Sequence, residues 1–217
     1  MEVEELKDAE EAARRCAAVL ASEIAAGARH VALTGGTTPL RAYDLLGPLV
    51  GDWRGVTLWY GDERCVGPED PESNHRGASE HLAAPGAIWH RMPGELGPDQ
   101  GAAQYDAQLA VTKLDVTLLG MGPDGHVASL FPDHPVLTAG GNAIGVHDSP
   151  KPPPERITLT MDKLNESGRV VLLVTGEAKR AALSRVVDPD GRPDRHWPAT
   201  LLARDRLLVL ADAAAMG

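Results

Sequence analysis

The most constraining feature of this sequence is a short apolar run that leads into a glycine-rich turn. Residues 114–119 are mainly apolar and are followed by Gly and Pro, a pattern that predicts a buried strand. The turn over residues 120–125 lets the backbone approach a ligand closely, because glycine has no side chain. It also brings Asp124 and His126 together. A helix beginning near His126 would favour an anion there and a neutral imidazole, the form that acts as a base.

Strand and helix patterns alternate along the rest of the chain. Amphipathic or capped segments predict helices at residues 8–26, 40–49, 73–82, 101–113 and 176–187. Short apolar or alternating runs predict strands at residues 30–33, 56–60, 114–119, 156–160, 170–174 and 207–210. This alternation predicts an α/β fold with three layers, in which helices flank a mostly parallel central sheet.

The length of 217 residues and the 43% hydrophobic content predict one folded domain over residues 1–217. The formal net charge of −10 argues against nucleic acid or an anionic membrane as a partner, because the overall field repels both. An anionic small substrate is compatible with that charge if basic residues cluster locally. No apolar run reaches the roughly 20 residues that span a bilayer, and residues 1–5 lack the basic start of a secretory signal. We therefore expect a cytoplasmic protein.

The sequence predicts neither a disulfide framework nor a metal site. Cys16 and Cys65 are the only cysteines, and no run of His, Cys, Asp and Glu has the spacing of metal ligands. We therefore expect the chain to need no metal or other cofactor.

A second glycine turn follows the strand at residues 30–33 and offers backbone N–H groups and two hydroxyls. Its residues are Gly35, Gly36, Thr37 and Thr38. Thr38 is expected to cap the next helix, with Pro39 as the first helical residue. Such a turn can hold phosphate, or it can be a tight turn before a capped helix, and these residues alone leave both interpretations open. It matches neither the Walker loop nor the GxGxxG fingerprint, which disfavours a nucleotide.

A charged triplet leaves the end of the strand at residues 56–60. Asp62, Glu63 and Arg64 stand where parallel sheets bind ligands, although such triplets are also typical of solvated turns.

Lys151 stands in a proline-rich segment farther along the chain. The neighbouring prolines fix its backbone, so its ammonium group is either directed toward a site or exposed on the surface. The whole stretch over residues 133–155 is long for a loop, and we expect it to be functional or to contain a strand at residues 142–146.

Taken together, these motifs resemble the 6-phosphogluconolactonase family, within the superfamily that also holds glucosamine-6-phosphate deaminases and ribose-5-phosphate isomerases. The segments that carry the resemblance are 35–39, 62–64, 73–74, 119–132 and 150–158, with Gly176 and Lys179. Two details separate the chain from the deaminases. Residues 129–132 read Ser-Leu-Phe-Pro, where deaminases have an Asn-Glu-Pro type of ending, and Arg64 stands where deaminases typically have Tyr.

The resemblance implies hydrolysis of 6-phospho-D-glucono-1,5-lactone to 6-phospho-D-gluconate, a step of the oxidative pentose phosphate pathway. His126 would activate water, since imidazole, with an unperturbed pKa of about 6.5, suits a general base. Asp124 would orient the imidazole of His126. The resemblance assigns binding of the 6-phosphate to Gly35, Gly36, Thr37, Thr38, Lys151 and Arg156. Arg64 is expected to contact the substrate near the phosphate or the carbonyl, and Asp62 and Asn74 to shape the pocket.

The expected partner is therefore a small sugar phosphate bound by a monomer, without nucleic acid or membrane. Two other functions stay open. A sugar-phosphate isomerase or deaminase is the nearest other enzyme. A non-catalytic sugar-phosphate-binding protein would keep the glycine turn and the basic residues, but it has no need of Asp124 and His126.

Overall fold

The computed structural model describes residues 1–217 and contains two β-sheets and seven α-helices. The strands are β1 (Glu2–Leu6), β2 (His30–Leu33), β3 (Thr57–Tyr60), β4 (Asp62–Arg64), β5 (Ile88–Trp89), β6 (Val116–Gly120), β7 (Ala143–Val146), β8 (Arg156–Leu159), β9 (Arg169–Val174) and β10 (Leu207–Asp212). The helices are α1 (Ala9–Ala25), α2 (Thr37–Leu46), α3 (Asn74–His81), α4 (Pro98–Leu109), α5 (Met161–Glu166), α6 (Arg180–Val187) and α7 (Ala213–Met216).

The main sheet has seven strands in the order β1-β10-β9-β6-β2-β3-β5, and every pair in it is parallel. Its strands are joined through helices, and β3 and β10 are buried along their whole length, as expected where helices cover both faces of a sheet. The predicted α/β class with a mostly parallel central sheet is therefore confirmed. The chain builds outward from β2 through β3 to β5 and then returns to add β6 on the other side of β2.

Helix α1 shows why the periodic segments fold as predicted. Asp8 accepts a hydrogen bond from the backbone N–H of Glu11 and so caps the first turn. The apolar positions Ala12, Cys16 and Leu20 are fully buried and belong to one continuous core of 57 residues. Their spacing of four residues puts them on one face of the helix, and this face packs against α2 and β10.

A second, antiparallel sheet of three strands, β4-β8-β7, stands beside the end of β3. Gly61 joins the two sheets, because its N–H donates to the carbonyl of Leu33 and its carbonyl accepts from the N–H of Leu159, both at 2.8 Å. The interpretation of residues 62–64 as a solvated turn is wrong, since Asp62 and Glu63 are buried in β4. The strand expected at residues 142–146 is confirmed as β7.

Two expected helix starts are wrong. No helix begins at His126, because the N–H of Gly122 bonds back to the His126 carbonyl at 2.9 Å and Gly125 and Ala128 have φ values of +78° and +49°. Helix α2 begins at Thr37, and its N-cap is Gly36 rather than Thr38. None of the helices has the length and apolarity that crossing a lipid bilayer demands.

Candidate active site

The carboxyl ends of four neighbouring strands, β9, β6, β2 and β3, meet at a cleft of about 430 Å³. The order in which the chain builds the sheet reverses between β2 and β6, and open α/β sheets bind ligands at such points. All predicted site residues except Asp124 line the cleft, namely Gly35, Gly36, Thr37, Thr38, Asp62, Arg64, Asn74, His126, Lys151 and Arg156. Asp124 contacts His126. The fold thus brings the whole predicted set together.

A short hydrogen bond joins the two residues of the turn after β6. Nδ1 of His126 lies 2.5 Å from Oδ1 of Asp124. A carboxylate accepts but does not donate, so this geometry assigns a proton to Nδ1, and in the neutral imidazole the lone pair is then on Nε2. Nε2 makes no hydrogen bond within the chain, and the side chain of His126 is 18% exposed at the cleft wall. In its neutral form, the imidazole therefore presents the lone pair of Nε2 to the cleft.

Lys151 and His126 keep the Asp124 carboxylate ionised. Burial opposes the charged form, but the hydrogen bond from His126, the charge that His126 carries when protonated and the charge of Lys151 outweigh it and lower the pKa of Asp124. Nζ of Lys151 lies 3.4 Å from Oδ2 of Asp124 and 3.2 Å from Nδ1 of His126. Of the two interpretations of Lys151, the structure supports the one in which the ammonium group is directed toward the site.

The segment before β10 packs against the turn that carries Asp124 and His126. Gly125 lies in the left-handed region, and its carbonyl accepts a hydrogen bond from the N–H of Ala199 at 2.8 Å. The side chain of Trp197 packs against Gly125 so closely that an added Cβ there would lie 3.0 Å from its Cε3 atom. Glycine is therefore required at residue 125 for both its backbone conformation and its lack of a side chain.

The N-terminus of α2 forms another wall of the cleft. Gly36, with a φ of +110°, precedes the helix, and no side chain caps it, so the first backbone N–H groups have no intrahelical partner. Oγ1 of Thr38 lies 2.7 Å from Oγ1 of Thr175, which follows β9. A Cβ on Gly35 would lie 2.1 Å from Oδ1 of Asn74, so the glycine makes room for that amide. Free N–H groups at a helix start favour a bound anion.

Glu63 anchors the segment that carries Arg64 and Asn74. Its buried carboxylate accepts hydrogen bonds of 2.7–2.9 Å from the N–H groups of Arg64, Asn74 and His75 and from the hydroxyl of Ser73. Burial raises the pKa of Glu63, and these four hydrogen bonds act against that rise. The carboxylate joins β4 to the first turn of α3 and so fixes both cleft residues.

Asp62 of β4 and Arg156 of β8 bring side chains of the second sheet to the wall of the cleft. Oδ2 of Asp62 accepts from the hydroxyl of Ser129 at 2.7 Å, and its Oδ1 accepts from Nδ2 of Asn74 at 3.2 Å. Nη1 of Arg156 lies 3.9 Å from Oδ2 of Asp62. Burial lowers the pKa of the Arg156 guanidinium, while the charge of Asp62 acts in the opposite direction.

Lys179 and Thr175 also line the cleft, although neither is among the predicted site residues. Nζ of Lys179 donates to the backbone carbonyl of Met121, and burial together with the charge of Lys151 lowers the pKa of Lys179. The signal for Lys179 is present in the sequence, since Gly176 and Lys179 follow the end of a predicted strand.

The charged side chains of the lining are mostly cationic, in contrast to the acidic chain as a whole. Four cations stand against the single carboxylate of Asp62, and they are Arg64, Lys151, Arg156 and Lys179. The local field therefore attracts an anion, as an acidic protein requires for an anionic substrate.

A family model described as glucosamine-6-phosphate isomerases/6-phosphogluconolactonase matches residues 4–210 of this sequence. The chain belongs to this family. Its glycine turn after β2 and its Asp-Gly-His turn after β6 both lie inside the matched range, so the cleft described above is built from family segments.

Relatives within the family carry the lactonase name. The 6-phosphogluconolactonase of Streptomyces coelicolor is 37% identical over 233 residues, a match that covers 94% of this chain and 87% of that protein. The GDH/6PGL endoplasmic bifunctional protein of Oryctolagus cuniculus is 36% identical over 188 residues; the match covers 79% of this chain but only 24% of that longer protein. A solved 6-phosphogluconolactonase from Shewanella baltica superposes with a TM-score of 0.85 at 26% identity, covering 98% of each chain.

Proposed function

We propose that this chain hydrolyses 6-phospho-D-glucono-1,5-lactone to 6-phospho-D-gluconate, with His126 as the general base that activates water. The observation that carries the proposal is the 2.5 Å contact between Asp124 and Nδ1 of His126, which puts the lone pair of the neutral imidazole on Nε2, at the wall of a cationic cleft. Membership of the family supports the substrate class, since the relatives named above are 6-phosphogluconolactonases.

The reaction needs one water and no covalent intermediate. Nε2 of His126 takes a proton from water while the water oxygen attacks the lactone carbonyl. The tetrahedral intermediate then collapses, the bond from carbon to ring oxygen breaks, and the imidazolium returns the proton to that oxygen. Asp124 stabilises the imidazolium between these two steps, because its carboxylate is ionised and already accepts the hydrogen bond from Nδ1.

Most of the anion-binding groups of the cleft are assigned to the phosphate end of the substrate. The free N–H groups at the start of α2, with the hydroxyls of Thr37 and Thr38, suit the three oxygens of a phosphate group. Lys151 and Arg156 add charge to that binding. Arg64 offers a guanidinium whose Nε is buried without a partner, and this donor suits the phosphate or the carbonyl oxygen as negative charge develops on it.

Residues 1–217 are proposed to act as one domain and as a monomer. The continuous hydrophobic core supports the first statement. The monomeric state stays a prediction from the sequence. A cytoplasmic location stays a prediction from the sequence.

An assay with lactone generated in situ tests the proposal. Glucose 6-phosphate is oxidised enzymatically to the lactone, and 6-phosphogluconate formation is followed by a coupled dehydrogenase against the spontaneous rate of ring opening. We expect this chain to raise that rate in proportion to its concentration and to release no ammonia from glucosamine 6-phosphate. Lactone hydrolysis at the spontaneous rate would contradict the proposal, and ammonia release would favour the deaminase alternative.

A further inference from the structure

Phe131 is the only phenylalanine of the chain, and it is buried outside the main hydrophobic core. The side chain is 1% exposed. Every other buried hydrophobic residue belongs to the continuous core of 57 residues, but Phe131 does not. Its ring is therefore enclosed by something other than the main core, although a residue of this size is usually buried there.

Two charged or polar groups of the cleft pack on the Phe131 ring. The imidazole of His126 lies with its ring centroid 4.9 Å from that of Phe131 and at 39° to it. Cζ of Arg156 lies over the same ring at 5.7 Å from its centroid, within the range of a cation–π contact. The ring thus touches both the proposed base and a cation assigned to the phosphate.

The hydrogen bond to Asp124 alone does not determine the plane of the imidazole. It holds Nδ1 at one point, about which the ring can still turn, and the direction of the Nε2 lone pair turns with it. The face of a neighbouring aromatic ring removes this freedom, because rotation of the imidazole would push it into the phenyl group. Arg156 in turn is fixed by the carbonyls of Lys151, Pro152 and Pro153, to which it donates.

We propose that Phe131 is a positioning residue for the reaction: its ring sets the plane of the His126 imidazole so that Nε2 points at the attacking water. This inference rests on the proposed function, because it takes His126 as the base. It adds a role that requires neither charge nor contact with substrate. Its substitution is expected to lower kcat without removing any ionisable group from the site.

The test compares Phe131→Leu in two backgrounds. In the wild-type background, we expect kcat for lactone hydrolysis to fall about ten- to a hundredfold, since small misplacements of a catalytic group have effects of this size. In a His126→Asn background, the same substitution is expected to leave the residual rate within about twofold, because no base remains to be positioned. Leu164→Val is the matched control, since Leu164 is fully buried in the core on α5, which precedes the amino end of β9, whereas the cleft lies at the carboxyl end of that strand.

A readout independent of activity completes the test. In protein with ¹⁵N-labelled histidine, the His126 signals are assigned by their loss in His126→Asn. We expect the Nδ1–H tautomer in the wild type, in Leu164→Val and in Phe131→Leu, because Asp124 still accepts from Nδ1 in all three. Only in Phe131→Leu do we expect greater motion of the imidazole ring, measured by ¹⁵N relaxation of its nitrogens. An unchanged kcat and unchanged ring motion in folded Phe131→Leu would overturn the positioning role. Equal losses in the two backgrounds would also overturn it. Failure of the base assignment is distinguishable, because His126→Asn alone would then keep its activity.

Discussion

Gly122 and His126 lie so close together that a Cβ atom on residue 122 would stand 2.0 Å from Nδ1 of the imidazole. The same atom would stand 2.3 Å from Oδ1 of Asp124. The backbone of Gly122 does not lie in the left-handed region, so its own conformation would accept alanine. The glycine is therefore required by the Asp124–His126 pair and not by the turn.

Gly122→Ala is expected to keep the fold and to lower kcat about a hundredfold or more, because the methyl group forces the imidazole away from Asp124. The measurement is kcat for lactone hydrolysis together with the midpoint of thermal unfolding. Gly140→Ala is the control, since Gly140 has no atom within 4 Å of an added Cβ and its backbone accepts alanine. Full activity in Gly122→Ala would show that the pair does not work in the geometry described.

Removal of the cations assigned to the phosphate is expected to act mainly on KM. Lys151→Ala and Arg156→Ala should each raise KM for the lactone about 10- to 100-fold, the range expected for the loss of a hydrogen bond to a charged group. Arg54→Ala is the matched control, because this arginine is exposed and does not line the cleft. An unchanged KM in both variants would remove Lys151 and Arg156 from the phosphate site.

The ionisation of Asp124 predicts a pH dependence of stability. Its pKa is lower in the folded chain than in the unfolded chain, so its ionised form stabilises the fold above the unfolded pKa of about 4, and this stabilisation is lost as pH falls through the folded pKa. The difference in free energy of unfolding between wild type and Asp124→Asn should shrink as the pH falls below about 4. Urea unfolding at a series of pH values measures it, and a difference that grows on acidification would contradict the assignment.

Local sequence patterns predict the central part of the fold, because the residues that form these strands and turns lie next to one another in the chain. The strand β2 with its glycine turn, and β6 with the turn after it, combine apolar periodicity with glycine and proline within a few residues. The edge strand β1 is not predicted, because Glu2, Glu4 and Glu5 leave no apolar run in that segment. Its only pairing partner, β10, lies at the other end of the chain.

Long-range contacts decide the features that the sequence leaves open. Asp62 and Glu63 are buried because β8, far along the chain, pairs with them. The turn at His126 is held in a non-helical conformation by residues far along the chain, since Trp197 packs against Gly125 and the N–H of Ala199 bonds to the Gly125 carbonyl. The family resemblance, added to the glycine turns and loop positions, identified most of the cleft, but the contact between Lys151 and Asp124 depends on how a distant proline-rich segment folds back.

The central claim is that His126 is the base, and the kcat of His126→Asn for lactone hydrolysis tests it most directly. Asparagine keeps a polar side chain of similar reach but cannot take up a proton at neutral pH. We predict that kcat falls by about 10²- to 10⁴-fold, with an unfolding midpoint close to that of the wild type. A folded His126→Asn protein that hydrolyses the lactone within a few-fold of the wild-type rate would contradict the account.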